Sequence, residues 1–196
     1  MHPKATFRDP TADWLDFADA RGFAHIFAVT PAGPMAVHAP VTRHGADLRF
    51  HVSRANRIAA HLADAPVIAS VASVDGYVSP NWYADPVNQV PTWNFVAAEF
   101  EGVSRALDDA ATTAQLDALA ARHEPRVNPA RPWTRDKMDD ALFANMLRGI
   151  RGFRIEVAAV RETVKLSQHR PADLAGTLAG LRAAGQLGLA DAMAAA

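Results

Sequence analysis

Apolar and polar positions follow two rhythms along this chain. A period of two recurs in "HIFAVT" and "MAVHAPV", short runs parted by "PAGP", which read as strands across a turn. It is sharpest in "DLRFHVS", where Leu48, Phe50 and Val52 alternate with Arg49, His51 and Ser53, as in a half-buried strand. "APVIASVAS" is continuously apolar and predicts a fully buried strand. "NFVAAEFEGV" sets Val96, Ala98, Phe100 and Gly102 against Glu99 and Glu101, so one face meets solvent. "GFRIEV" alternates again, and "TVKLSQ" predicts a last short strand.

The second rhythm is helical. "DPTADWLDFADARG" has Asp9 as N-cap, Pro10 at the first helical position and Gly22 where a closing glycine belongs. "RANRIAAHLAD" predicts a short helix with Ile58 and Leu62 one turn apart. "TTAQLDALAARHE" places Leu116, Leu119 and Ala120 on one side, and "KMDDALFANMLRGI" spaces Met138, Leu142, Met146 and Ile150 by four. "RPADLAGTLAGLRAAG" predicts a terminal helix from about residue 171, with Leu174, Leu178 and Leu181 on one face. "DGYVSPNWYADPVNQVP" is rich in Pro, Asn, Asp and Gly and reads as a long ordered loop. Six or seven short strands with helices between and after them predict a small antiparallel barrel with peripheral helices, an α+β fold. With no repeat and no flexible linker, residues 1–196 read as a single domain.

Composition narrows the classes. About half of the 196 residues are apolar, enough to fill a core. A net charge of −1 offers no global field for nucleic acid or an anionic membrane. The absence of cysteine excludes disulfides, thiolate metal sites and cysteine nucleophiles. "MHPKATFRDP" lacks the apolar core of a signal peptide, and no apolar run is long enough to span a bilayer, so a soluble cytoplasmic protein is expected. The histidines form no HExxH, HxH or HxxxH, and no metal site is expected. Walker, Rossmann and Gly-x-Ser-x-Gly patterns are missing too.

The chemistry gathers at "FHVSRAN", where a strand stops on Ser53 and Arg54. A hydroxyl, a guanidinium and the Asn56 amide at a helix start suit a terminal phosphate. The plainer alternative is that Ser53 caps the helix and Arg54 is a solvated charge. Lys165 and Gln168 lie on the last strand, and they either meet an anionic ring edge or close the barrel end on backbone carbonyls. Trp93, with Trp82 and Tyr83, flanks the long loop as a ring cover or as loop core, and Asn94 starts the next strand.

"HVSRAN", "SPNWY" (79–83), "VPTWNF" (90–95) and "KLSQHR" (165–170), in this order, resemble the PaiB family of FMN-binding negative transcriptional regulators. "RHE" (122–124), "RPW" (131–133) and "MLRGIRGFRIEV" (146–157) extend the resemblance over nearly the whole chain. The resemblance implies a split β-barrel of the pyridoxamine-phosphate-oxidase-like kind, a homodimer, and FMN in the crevice between subunits. It implies that Ser53, Arg54 and Asn56 take the FMN phosphate and that His51 and Val52 lie along the ribityl chain or the ring. His38 would approach the ring from beside. With a flavin present, Trp93 either covers the ring or fills the dimer interface or loop core, and Asn94 either bonds a ring carbonyl or organises the turn. Lys165 and Gln168 either stand at the N1–C2 edge, where positive charge favours the reduced ring, or close the barrel end on backbone carbonyls. Two functions follow: negative regulation of transcription, with DNA contact poorly supported by charge, or FMN-dependent oxidoreduction of an unknown small molecule. No catalytic residue is assigned, and whether the protein is an enzyme stays open.

Overall fold

A computed structural model describes residues 2–196. Its six strands are β1 (Phe23–Thr30), β2 (Gly33–His44), β3 (Asp47–Ser53), β4 (Ala65–Val78), β5 (Thr92–Ala106) and β6 (Ile150–Lys165). They close an antiparallel barrel in the order β1-β2-β3-β6-β5-β4. The helices are α1 (Trp14–Arg21), α2 (Asp109–Val127), α3 (Asp140–Leu147), α4 (Leu174–Ala183) and α5 (Leu187–Ala194). None is long and apolar enough to cross a membrane.

Contacts divide the chain into two compact units. The larger holds Asp13–Val71 and Glu99–Val160. Its core is the inward row of the strands: Ile26, Val41, Leu48, Phe50, Phe100, Phe153 and Ile155, all fully buried, with Phe50 and Phe153 stacked at 5.4 Å. The smaller holds residues 2–12, Ala72–Ala98 and Arg161–Ala196. There Leu166, Leu181, Leu189, Ala190 and Met193 form the core, with Trp82, Leu174 and Leu178 packed against it.

Several elements differ from expectation. Asp13, not Asp9, caps α1, accepting from the Asp16 amide, while Asp9 is spent on a turn with Thr11. Gly22 does end that helix in the left-handed region, at φ 71°. No α-helix follows β3. Ser53 Oγ accepts from the Ala55 amide and Asn56 Oδ1 from the Ile58 amide, so these side chains hold the backbone in turns. Such local bonds compete with helix formation. Only a 3₁₀ turn, Ala59–His61, remains, with Ile58 and Leu62 buried as anchors. β4 is not buried on both faces: Val67 and Ala69 point inward and Ile68 outward. "GFRIEV" and the first half of "TVKLSQ" fall on one strand, β6, which ends at Lys165, so that Leu166, Ser167 and Gln168 lie in the turn beyond it. The terminal helix is a 3₁₀ turn at Pro171–Asp173 followed by α4 and α5. In α2 the fully buried positions are polar, Thr112 and Gln115, and in α3 Leu142 and Met146 stay exposed.

Candidate flavin site

The end of β3 in the larger unit is built by its partner β6. In the register of the pair, Val52 faces Arg151 and Ser53 faces Ile150. Arg54 then crosses to the start of β6. Its amide donates to Gly149 O (2.9 Å), its Nε to Arg148 O (2.9 Å) and its Nη2 to Ile150 O (3.1 Å). A cation on the carbonyls just after α3 also suits the negative end of that helix. The clasp fixes the guanidinium plane and leaves both Nη1 hydrogens and one on Nη2 for something else.

Other donors gather at the same place. The Ser53 hydroxyl accepts one bond and retains its own hydrogen, and Asn56 uses only its oxygen. Arg57, Arg148 and Arg151 add charge. Arg148 bonds Asn145 Oδ1 (2.8 Å), and Arg151 bonds Ala59 O (3.3 Å) and lies over the Phe153 ring. None of these arginines has a carboxylate partner among the described residues, whereas Arg43, Arg105, Arg122, Arg135 and Arg154 of the same unit all do. Unpaired cations beside free N–H and O–H donors fit a phosphate.

His51 and Val52 precede this corner. Val52 is buried in the barrel interior. His51 points the other way, beneath α2, with Nδ1 2.8 Å from Gln115 Oε1. Burial lowers its pKa below the ordinary 6.5, and the bond to Gln115 opposes this only partly. The ring is therefore neutral at pH 7, with Nδ1–H donating and Nε2 free to accept. The Gln115 Nε2 is buried without a partner. His38 sits on the outward face of β2, opposite His25 of β1, with the two rings edge to face at 4.5 Å.

The remaining expected residues lie in the smaller unit. Lys165 Nζ donates to Thr92 Oγ1 and to Trp93 O (2.8 Å). Trp93 exposes half its surface and donates Nε1–H to Asp75 (3.1 Å). Asn94 is fully buried, donating to Ser167 Oγ (2.8 Å), and its Oδ1 has no partner. Gln168 closes a local turn, accepting from the Leu166 amide (2.8 Å) and donating to Val164 O (2.6 Å) and Thr6 O (3.2 Å). The structure thus brings Ser53, Arg54 and Asn56, with Arg57 of the same turn, together with the unforeseen Arg148 and Arg151, and Lys165 together with Trp93. The only trace of Arg148 and Arg151 in the sequence was the segment "MLRGIRGFRIEV" as a whole.

This strand order, wrapped by helices, is the flavin-binding split barrel. An FAD- and haem-binding protein of Mycobacterium smegmatis has the same fold, with TM-score 0.56, 21% identity, and 79% of this chain and 72% of that one covered. A conserved hypothetical protein of Mycobacterium tuberculosis matches with TM-score 0.60 at 15% identity, over 84% of this chain and 90% of its own.

Within that class the chain belongs to the family described as "Putative FMN-binding domain", which matches residues 1–159. FMN is the cofactor that goes with this family. The chain is also 27% identical over 167 residues to protease synthase and sporulation protein PAI 2 of Bacillus subtilis (strain 168), covering 79% of this chain and 75% of that protein.

Proposed function

We propose that this protein is a homodimeric, FMN-binding regulator of the PaiB type, with the FMN phosphate held by Ser53, Arg54 and Asn56. The observation that carries the reading is the Arg54 clasp. It spends part of the guanidinium on the carbonyls of Arg148 and Ile150, at the entry to β6, and presents the rest beside a hydroxyl and an amide, with no carboxylate partner among the described residues. A doubly charged phosphoryl tail matches that donor set. FMN supplies a ring that exchanges electrons. The chain's part is to hold the tail and to keep His51 neutral beside the same strand end.

A regulatory role is supported by the name of the Bacillus subtilis relative, which ties that protein to protease synthesis and sporulation. A net charge of −1 favours action through a protein partner over direct contact with DNA. The dimer reading rests on β1, whose outward face is apolar apart from His25. Ala24, Ile26 and Ala28 fill the core, while Phe23, Phe27 and Val29 are 48%, 44% and 80% exposed beside Ile68 of β4. A strand of this kind is covered on both sides in its working state.

The test pairs a spectrum with a transcript profile. The purified protein should carry oxidised-flavin absorption, and the extracted nucleotide should be FMN. Cells bearing Arg54→Ala should share the transcript changes of a deletion strain. A profile indistinguishable from wild type removes the flavin-linked regulatory reading. Sustained bleaching and recovery of the flavin with NADH or NADPH and a second substrate would replace it with an oxidoreductase.

A further inference from the structure

The smaller unit contains a cleft that the phosphate corner does not use. It encloses about 210 Å³ and is lined by the N-terminal segment (His2, Lys4, Phe7), the loop before β5 (Val90, Pro91), Thr92, and Lys165, Ser167, His169 and Arg170 with Tyr83. No carboxylate lines it among the described residues. Arg170 is neutralised by Asp173 (3.1 Å), bonded to Gln89 Oε1 (2.6 Å) and laid on the Tyr83 ring. Lys4 and Lys165 have no such counter-ion. Lys165 is part-buried, yet its ammonium meets only a hydroxyl and a backbone carbonyl.

We propose that this cleft is a second anion site, which takes the dianionic phosphoryl group of a small phosphate monoester. Two uncompensated ammonium groups match a dianion. A charge taken partly out of water with no partner is costly, and a bound anion supplies the missing partner. The Ser167 hydroxyl accepts from Asn94 and keeps its own hydrogen for the ligand. Ser167 is also held at φ 60°, a left-handed conformation that a non-glycine residue adopts only when its surroundings impose it. Phe7, Val90 and Pro91 give the ester's organic part an apolar wall, with the Tyr83 ring beside it. Electrostatics agree with the geometry. Burial and then Lys4 lower the pKa of Lys165, while burial, Arg170, Lys4 and Lys165 lower that of His169. Lys4 and Lys165 thus act as an unneutralised positive pair beside the paired Arg170. Lys165 is thereby assigned to this cleft, in place of the flavin N1–C2 edge at which the family resemblance puts it.

The test is calorimetric titration of the FMN-saturated protein with inorganic phosphate and with phenyl phosphate, in chloride buffer of constant ionic strength. One phosphate per chain should bind without change in the flavin spectrum. Phenyl phosphate should bind at least as tightly, and acetate should fail to compete. Lys165→Met should weaken phosphate about tenfold or more, the loss expected for one charge-assisted contact. Lys4 is exposed, so Lys4→Met provides a folded variant even if Lys165→Met does not fold, and it too should weaken phosphate with the flavin bands unaltered. Three results would overturn the proposal: no saturable phosphate binding, equal binding of acetate, or release of flavin by phosphate. The last would make the cleft part of the flavin site.

Discussion

Arg54 holds two roles in one side chain, and they can be separated. Its bonds to Arg148 O and Ile150 O tie β3 to the start of β6, and its remaining hydrogens face outward. Arg54→Ala should lower FMN affinity by about one to two decades, from the roughly 1.5–3 kcal/mol of lost charge-assisted bonds. It should also lower the melting temperature of flavin-free protein, through the lost clasp. Arg54→Lys restores charge without the planar fork, so it should recover part of the affinity and little of the clasp. Flavin titration and flavin-free melting curves, measured on both variants, check this. His51 makes a separate prediction. Burial depresses its folded pKa, so the unfolded chain takes up a proton that the native ring refuses. Its contribution is complete above the ordinary value of 6.5 and is lost as pH falls through the lower folded value. Urea midpoints should therefore fall on acidification below about pH 6.5. His51→Gln, which cannot titrate there, should flatten that slope.

Among the elements, α2 depends on an unusual contact. It docks through Thr112 and Gln115, with Thr112 lying over Gly152 of β6 and Gln115 on His51, the residue paired with Gly152 across the sheet. A Cβ at Gly152 would run into Thr112 Oγ1. Gly152→Ala should cost about 1–3 kcal/mol by overpacking, and adding Thr112→Ala should recover much of it. Denaturation of the two single variants and the double variant measures that coupling. This docking was not legible in the sequence. The leucine spacing pointed to Leu116 and Leu119, and nothing in "TTAQL" signals that a threonine and a glutamine go inside. The strand β3 was legible to the residue, because Leu48, Phe50 and Val52 alternate without interruption between Asp47 and Ser53. The segment after it was misjudged as a helix because the four-residue spacing of Ile58 and Leu62 is served equally well by a 3₁₀ turn with two buried anchors. The donor set of Ser53, Arg54 and Asn56 was visible as residue types. Arg148 and Arg151, which complete it, were not, since strand pairing brings them from about a hundred positions away.

For the whole molecule, the near-zero net charge and the two-faced β1 matter most. Phe27 pairs with Ile68 on the outward face and with Ala36 on the neighbouring strand. Phe27→Glu places a charge in the middle of that patch and leaves the core row Ala24, Ile26 and Ala28 untouched. The variant should elute as a monomer with an unchanged far-ultraviolet spectrum, and light scattering coupled to gel filtration reads the mass directly. A variant that keeps the native mass would exclude this face as the contact between copies. That exposed aromatic ridge has one more consequence. If a twin molecule is what shields it, heat resistance is not a constant of the polypeptide, because assembly feeds into it by mass action. The melting point should climb as the solution is concentrated, and dilution alone should act as a mild denaturant.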